Sequence, residues 1–205
     1  MPGPSLHIRR DWPRPTEAEL APFRDAPTGF VVDSRGRRGA LHHGIRPITR
    51  ATRFCGTALT VWTRARDNLA PYAALDRARP GDVLVVATDG YDQASVVGDI
   101  LAGMARHSGI VAVVTDGLVR DVPGLDQVGI PVFGAGISPN SPHKDGPGEV
   151  GFPITLGGMM VEPGDLILGD GDGVVVVPRG RLAATAAALV EVRETEAAMD
   201  AAILG

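Results

Sequence analysis

The sequence is poor in several features that would restrict where this protein works. It has a single cysteine, Cys55, so no internal disulfide can form and nothing indicates an oxidising compartment. No apolar run approaches the ~20 residues that cross a bilayer. No apolar segment follows Arg9 and Arg10, as it would in a signal peptide. We therefore expect a cytoplasmic protein with no membrane partner.

The sequence also lacks a basic surface signal. The formal net charge is −4 at pH 7, aromatic residues make up 4% of the chain, and no basic stripe interleaved with aromatics occurs. Because such a stripe is typical of nucleic-acid-binding domains, we expect no nucleic acid partner. The 44% hydrophobic content is instead rich in Val, Ala, Leu and Ile, which indicates a β-rich α/β core.

The length of 205 residues suits one domain with a sizeable core. Residues 1–24 contain five prolines, and we predict an irregular N-terminal arm there that packs on a neighbour or is mobile. Residues 25–205 are predicted to form a single α/β domain.

A central β-α-β unit is the clearest structural prediction. The runs VLVVA (residues 83–87) and IVAVV (residues 110–114) are β-branched and do not alternate, which is typical of parallel strands buried on both faces. Between them, apolar residues recur at helical spacing after Gly98, and Gly109 is placed to end that helix. Ligands bind at the carboxyl edge of such sheets, where both the helix start and the residues after Val114 would lie.

The rest of the chain is predicted as short strands and helices with a long C-terminal helix. Apolar spacing indicates one amphipathic helix from Arg181 to Leu204, with Leu182, Leu189 and Val190 packed inward. The other predicted elements are helices from Thr28, over residues 68–77 and over residues 124–128, and strands over residues 58–62, 131–133, 154–156, 159–161, 166–168 and 174–177.

Residues 98–121 can form a small anion and metal site. The first helical turn leaves four N–H groups without internal partners, so the backbone of residues 98–101 could hold a carboxylate or phosphate. Arg120 could add a forked contact to the same anion, and Asp121 supplies the hard oxygen that suits Mg²⁺. Judged by spacing alone, a Gly-Asp pair before a helix is more often an ordinary helix cap. Arg120 and Asp121 would more often form a solvated surface pair.

Several motifs resemble one protein family. Gly98-Asp99-Ile100-Leu101 and the segment DGLVRDV (residues 116–122) resemble the family of the regulator of RNase E activity A and the 4-hydroxy-4-methyl-2-oxoglutarate aldolases. Similar blocks extend over roughly residues 25–200: TGFVVD (28–33), GIRP (44–47), PVF (131–133), GEV (148–150), PITLGG (153–158), PGD (163–165) and DGVVVVP (172–178). The resemblance implies a layered β/β/α swivelling-domain fold, assembled as a homotrimer or a dimer of trimers with active sites between subunits.

The resemblance also implies a chemistry. In family aldolases the amides at the positions of Gly98, Asp99, Ile100 and Leu101 hold the substrate carboxylate. The position of Arg120 contacts the pyruvyl oxygens, that of Asp121 binds the divalent metal, and that of Asp99 contacts the metal's waters. This chain is accordingly expected to be a Mg²⁺- or Mn²⁺-dependent lyase. Its expected reactions are cleavage of a 4-hydroxy-2-oxo acid, such as 4-hydroxy-4-methyl-2-oxoglutarate, to pyruvate, and decarboxylation of oxaloacetate.

One departure from the family pattern keeps other activities open. Family aldolases carry an acidic residue three positions after the metal-binding Asp, where this chain has Gly124, and the nearest carboxylate is Asp126. Those aldolases also use a Glu from the C-terminal region of a neighbouring subunit, and Glu194 and Glu196 match it best, on different helix faces. The alternatives are a lyase for another 2-oxo acid and a non-catalytic regulator that binds a protein partner, as the ribonuclease regulator does.

Overall fold

The computed structural model describes residues 5–204, so Pro2 and Pro4 of the predicted arm lie outside the described residues. The strands are β1 (Leu6–Ile8), β2 (Arg46–Pro47), β3 (Phe54–Thr63), β4 (Asp82–Ala87), β5 (Ser95–Val97), β6 (Ala112–Thr115), β7 (Leu118–Val119), β8 (Val132–Gly134), β9 (Gly136–Ile137), β10 (Gly148–Val150), β11 (Ile154–Leu156), β12 (Met159–Val161), β13 (Leu166–Asp170) and β14 (Gly173–Val177). The helices are α1 (Glu17–Leu20), α2 (Thr28–Ser34), α3 (Leu69–Ala74), α4 (Asp99–His107), α5 (Val122–Val128) and α6 (Leu182–Leu204), with 3₁₀ turns at Ala21–Phe23, Leu75–Arg77 and Arg179–Arg181.

The predicted β-α-β unit forms the centre of the molecule. Strands β3, β4, β6 and β8 lie side by side and parallel in a nine-stranded sheet, and α4 connects β4 to β6. Every residue of β4 and β6 is buried, as the lack of alternation in their sequences indicates. Gly109 ends the helical segment with φ +86°, a conformation that glycine adopts without strain. The unit is therefore confirmed, with the second strand beginning two residues later than predicted.

After β4, β6 and β8 the chain turns into a second, smaller sheet, through residues 88–94 after β4 and through a short bend after β6 and after β8. Strands β5, β7 and β9 follow them in the chain and pair in parallel in the same order. At the second bend Gly117 lies so close to Thr88 that an added Cβ would come within 2.9 Å of its Cγ2. This small sheet brings the residues that follow β5 next to those that follow β7.

Buried apolar side chains form a layer on each face of the central sheet and a third layer nearby. One cluster includes side chains of α3, α4 and α5, and a second contains residues of β4 and β6 that face away from α4, together with β11 and β12. The third joins α2 and α6 to β13 and β14. The layered α/β fold with a central sheet and a long C-terminal helix is confirmed.

The N-terminal segment differs from the irregular arm that its prolines predicted. Strand β1 pairs in parallel with β10, α1 begins with a capping box between Thr16 and Glu19, and Trp12 is buried in the core. Prolines are compatible with this structure because they lie between elements or, like Pro22, in the first turn of a helix. The described part of residues 1–24 therefore packs on its own chain.

The C-terminal helix α6 is present over 23 residues, but only its first half is buried on one side. Leu182 and Leu189 are buried as predicted, whereas Val190 is 55% exposed. The prediction for Val190 was wrong because neighbouring residues of a helix point about 100° apart, so Leu189 and Val190 do not share a face. In the described part of the chain, no helix is both long enough and apolar enough to cross a membrane.

Candidate functional site

A cavity of about 140 Å³ lies where the small sheet ends and α4 begins. It is formed by the backbone of residues 95–101, the two residues after β7, the side chain of Tyr72 from α3, and the loop between β9 and β10. The structure thus brings together Gly98, Asp99, Ile100, Leu101, Arg120 and Asp121, the six positions that the sequence predicted.

The start of α4 offers fewer free amides than predicted. Gly98 is the N-cap residue, and no side chain caps the helix from that position. The Asp99 Oδ1 atom accepts a hydrogen bond of 2.7 Å from the N–H of Ile100. Among the described residues, the amides of Asp99 and Leu101 have no acceptor, and they lie at the positive end of the helix dipole. An anion could bind here by accepting hydrogen bonds from these two amides. It could also accept one from the Ile100 amide if the Asp99 side chain turned away.

Arg120 and Asp121 are held against this helix start. The Arg120 backbone N–H donates to the carbonyl of Val97 at 3.0 Å, and its side-chain Nη1 donates to Ser141 Oγ at 2.6 Å. Arg120 Nε lies 3.0 Å from Asp121 Oδ2. A Cβ added to Gly98 would lie 2.7 Å from Asp121 Oδ2 and 3.2 Å from Arg120 Nε, so a glycine is needed for this approach. Asp121 itself has φ 60°, a left-handed conformation that Asp tolerates better than most residues.

Gly124 lies directly against Asp99. A Cβ at position 124 would come within 2.5 Å of Asp99 Oδ2 and 2.8 Å of Asp99 Cβ. The Asp99 carboxylate therefore occupies space that any side chain at position 124 would need. An acidic residue at position 124 could be accommodated only if Asp99 moved. Asp126 does not line the cavity; it pairs with Arg50, accepting from its backbone N–H at 2.8 Å.

Lys144 and Tyr72 are among the residues of the cavity that were not predicted from the sequence. Lys144 lines it from the β9–β10 loop and is the single lysine of the chain; its Nζ lies 5.1 Å from the centre of the Tyr72 ring. Burial raises the pKa of Tyr72, the charge of Arg120 opposes this shift and that of Asp99 adds to it. No local spacing connects residues 72 and 144 to the motif around Arg120, so only the tertiary structure could find them.

The available carboxylates suit a hydrated divalent cation. No group of three or more His, Cys, Asp or Glu residues that could hold a metal occurs within residues 5–204. The Asp121 side chain is 41% exposed, so a hydrated ion can reach it, and Asp99 lies at the same cavity. Because Mg²⁺ keeps several waters and is often held through one or two carboxylates, Asp121 with Asp99 nearby fits such an ion.

Glu194 and Glu196 do not lie at this cavity in the single chain. Glu194 is exposed, and Glu196 lines a groove with Asp33 and Ser34, between α2 and the second half of α6. Their contribution to the site of a neighbouring subunit stays a prediction.

Comparison with known proteins identifies a family for this chain. The family model described as "RraA-like: Aldolase/RraA" matches residues 23–176. A Halalkalibacterium halodurans protein named "Putative 4-hydroxy-4-methyl-2-oxoglutarate aldolase" is 36% identical over 162 residues, which are 79% of this chain and 77% of the relative.

Solved structures show the same similarity. An uncharacterized protein from Pseudomonas syringae pv. tomato superposes with a TM-score of 0.81 at 28% identity, covering 94% of each chain. The RNA-processing inhibitor RraA from Thermus thermophilis superposes with a TM-score of 0.69 at 30% identity, covering 75% of this chain and 93% of its own. Since the family model spans most of the sequence and both the aldolase relative and the RraA structure align along it, this chain belongs to the RraA-like family.

Proposed function

We propose that this protein is a divalent-metal-dependent lyase that cleaves a 4-hydroxy-2-oxo acid to pyruvate and also decarboxylates oxaloacetate. The observation that carries the proposal is one cavity in which Arg120, Asp121 and the free amides of α4 converge. The name of the Halalkalibacterium halodurans relative supports a lyase. The remaining steps follow from the charges and donors around the cavity.

The donors suit the 2-oxo acid end of a substrate. The Asp99 and Leu101 amides at the start of α4 would hold the carboxylate, because free N–H groups at a helix start bind anions. Arg120 is positioned beside them and would bind the carboxylate and 2-oxo oxygens with its planar fork. Lys144 adds a second cation at the cavity, which favours a substrate with a distal carboxylate, as in 4-hydroxy-4-methyl-2-oxoglutarate and oxaloacetate.

The same donors favour the bond cleavage. In the retro-aldol reaction the C3–C4 bond breaks, its electron pair forms an enolate at the 2-oxo oxygen, and the 4-hydroxyl loses its proton to become a carbonyl. The enolate then takes a proton at C3 and leaves as pyruvate. Loss of CO₂ from oxaloacetate leaves the same enolate, so one site can promote both reactions. Arg120 stabilises the charge on that oxygen, and an aimed donor of this kind typically contributes on the order of 3 kcal/mol.

A divalent cation fits this scheme through Asp121. Bound there, Mg²⁺ or Mn²⁺ would supply Lewis-acid polarisation of the substrate oxygens, an effect typically worth several kcal/mol. Asp99 would hold waters of the ion, and Arg120 would keep the Asp121 carboxylate oriented through their 3.0 Å contact.

We also propose that the protein acts as a homotrimer or a dimer of trimers, with Glu194 or Glu196 reaching a neighbouring site. Exposed apolar residues beside the cavity support an assembly. Ile100 and Met104 of α4 are 66% and 47% exposed, and Ile137 of the edge strand β9 is 62% exposed. Burying such side chains against another copy is favourable.

Pyruvate release tests the proposed function. The protein should release pyruvate from a panel of 4-hydroxy-2-oxo acids and from oxaloacetate, EDTA should abolish the activity, and Mg²⁺ or Mn²⁺ should restore it. Arg120→Lys, which keeps the charge but loses the fork, should lower kcat/KM by roughly 10²-fold or more. Asp121→Asn, which tolerates the same φ, should lose the metal-dependent turnover while Tm changes little. Full activity in the metal-free protein would reject the role given to Asp121.

A second function has one specific observation in its favour. The Thermus thermophilis structure with the same fold is described as an RNA-processing inhibitor, so a regulator that binds a protein partner is the alternative. Such a regulator would release no pyruvate from any member of the panel with either metal. It would also keep its partner binding when Arg120 is changed to Lys, because the lyase chemistry would play no part in it.

A further inference from the structure

A second cavity, away from the candidate lyase site, collects three arginines. Its volume is about 290 Å³, and it lies between the segment that follows α2 and the first turns of α6. The cavity is lined by Ser34, Arg35, Arg38, Arg181, Ala184 and Thr185, and we refer to it as the arginine pocket. No carboxylate of the described residues lines it, and none of the residues that line the lyase cavity takes part in it.

One of these arginines is held in place by the backbone. Arg35 Nη1 donates to the carbonyl of Val176 in β14. The guanidinium lies over Gly39, whose φ is +107°, and a Cβ at that position would come within 2.0 Å of Arg35 Nη1. Burial lowers the pKa of Arg35, with the charge of Asp165 opposing that shift and the charge of Arg181 adding to it. A partly buried cation is thus kept close to a second cation.

No acidic group of residues 5–204 lies within ion-pair distance of the three arginines, although the charge of Asp165 acts favourably on Arg35. Within the part of the chain that the structure describes, Arg35, Arg38 and Arg181 form no salt bridge with any carboxylate. Arg35 is partly buried, and keeping its charge near that of Arg181 is unfavourable unless an anion compensates them. The arrangement therefore points to a negatively charged ligand.

The hydrogen bonds of the two hydroxyl groups in the pocket determine which donors remain for that ligand. Ser34 Oγ donates to the Val31 carbonyl and Thr185 Oγ1 donates to the Arg181 carbonyl, each at 2.8 Å. Both hydroxyl hydrogens are already donated to backbone carbonyls, so the side-chain donors that remain for a ligand are the guanidinium N–H groups. These forks match the oxygens of phosphate, and several converging cations favour a dianion over a single carboxylate.

We propose that the arginine pocket binds a phosphate group, either as inorganic phosphate or as the phosphate end of a small phosphomonoester. Arg38 and Arg181 supply exposed forks, and Arg35 supplies a fixed one. The ligand would join the glycine- and arginine-rich turn of residues 35–39 to the start of α6. Binding should therefore stabilise the packing of α2 against α6.

Calorimetric titration of the full-length protein at low ionic strength tests this proposal, with inorganic phosphate and glycerol 3-phosphate as the probes. Arg38→Ala and Arg181→Ala should each weaken binding by ~10-fold or more, since a charge-assisted hydrogen bond contributes about 1.5–3 kcal/mol. Arg179→Ala is the matched control, because it removes the same charge two residues away without lining the pocket; it should change Kd by less than ~2-fold. Circular dichroism of each variant checks that the fold is kept.

The two probes and the control variant separate the possible outcomes. Tighter binding of glycerol 3-phosphate than of phosphate would assign the pocket to a phosphomonoester, and equal binding would assign it to the free ion; both support the proposal. No binding of either probe to the full-length protein overturns it. Equal weakening by Arg179→Ala also overturns it, because general charge attraction would then explain the binding. If Arg181→Ala fails to fold, Arg181→Lys takes its place and should weaken binding through loss of the fork.

Discussion

Asp99 and Gly124 share one small space beside the candidate lyase site. The Asp99 carboxylate accepts from the Ile100 amide, and its other oxygen would lie 2.5 Å from a Cβ at position 124. A side chain at 124 must therefore displace this carboxylate. The departure at position 124 from the family pattern is thus coupled to the conformation of Asp99, a residue that lines the cavity.

We predict that Gly124→Ala lowers kcat/KM for pyruvate release by roughly 10-fold through Asp99, within the range of coupling between residues in contact. In an Asp99→Ala background the same change should have almost no effect, because the contact is gone. Gly103→Ala is the control, since its Cβ would meet only Val128 Cγ2 at 3.8 Å. Steady-state kinetics on the four variants of the cycle measure the coupling, and additive effects would contradict it.

Cys55 is a free, buried thiol in β3. It is 9% exposed, and burial raises its pKa to about 11, with Arg24 opposing the shift. The native protein should therefore resist DTNB at pH 8 and react fully in guanidinium chloride.

The same shift gives a pH dependence with a definite sign. The unfolded chain releases the Cys55 proton near the ordinary thiol pKa of 9.0, whereas the folded chain keeps it up to about 11. This contribution to stability is fully present below pH 9 and is lost as the pH rises from 9 to 11, by on the order of 1–2 kcal/mol. Urea unfolding of the wild type and Cys55→Ala at pH values of about 8 and about 10.5 isolates this loss. An equal pH dependence in both proteins would contradict the assignment.

At the scale of elements, α6 has two halves with different environments. Leu182, Thr185 and Leu189 are buried in the first half, and in the described part of the second half no residue is fully buried. Arg193 Nη2 adds a hydrogen bond of 3.1 Å to the Pro22 carbonyl. The second half therefore contributes little to the core of one chain, and this leaves its glutamates free for a role between chains.

We predict that deleting residues 191–205 lowers turnover by ~10-fold or more while shifting Tm by only a few degrees, about what 1 kcal/mol produces in a chain of this size. Deleting residues 198–205 is the control, because it keeps Glu194 and Glu196. Glu194→Gln and Glu196→Gln separate the two candidates, and at most one should reduce turnover. Unchanged turnover in the longer truncation would show that the site is complete without them.

On the scale of the whole molecule, one ion pair ties the N-terminal segment to the central sheet. Arg14 Nε and Nη2 donate to the Asp82 carboxylate at 3.0 and 2.9 Å, and the Asp82 side chain is only 2% exposed. The backbone N–H of Arg79 donates to the same carboxylate at 2.9 Å. Asp82 begins β4, so this contact links residues 5–24 to the strand that leads to the site.

We predict that Arg14→Met destabilises the protein by about 3 kcal/mol, because it leaves a buried carboxylate without its cation. Arg10→Met is the control, since Arg10 is exposed and forms no ion pair among the described residues. Chemical unfolding measures both free energies of unfolding. Equal values for the two variants would show that the Arg14–Asp82 contact does not stabilise the protein.

Local patterns were sufficient for the β-α-β unit, whereas the candidate residues on it were favoured over an ordinary cap and surface pair only by the family resemblance. The runs that became β4 and β6 are β-branched without alternation, and such residues favour doubly buried strands wherever they occur. The position of Gly98 before an apolar periodic segment likewise determined where α4 begins. The expectation that the residues after Val114 lie at the same edge as this helix start followed from parallel pairing of the runs that became β4 and β6.

Other features were decided only by the tertiary structure. Lys144 and Tyr72 line the cavity although they are far in sequence from Arg120. Asp99 likewise contacts Gly124, and Arg14 contacts Asp82, across many residues of sequence. The exposure of Val190 beside buried Leu189 also depends on which face of α6 meets α2 and the sheet. Periodicity and capping act over a few residues along the chain, whereas these contacts depend on strand order and on how the layers pack. The sequence by itself therefore determined the β4–α4–β6 unit and the start of α4, and the packing of distant segments decided the small sheet of β5, β7 and β9 and which other side chains complete the site.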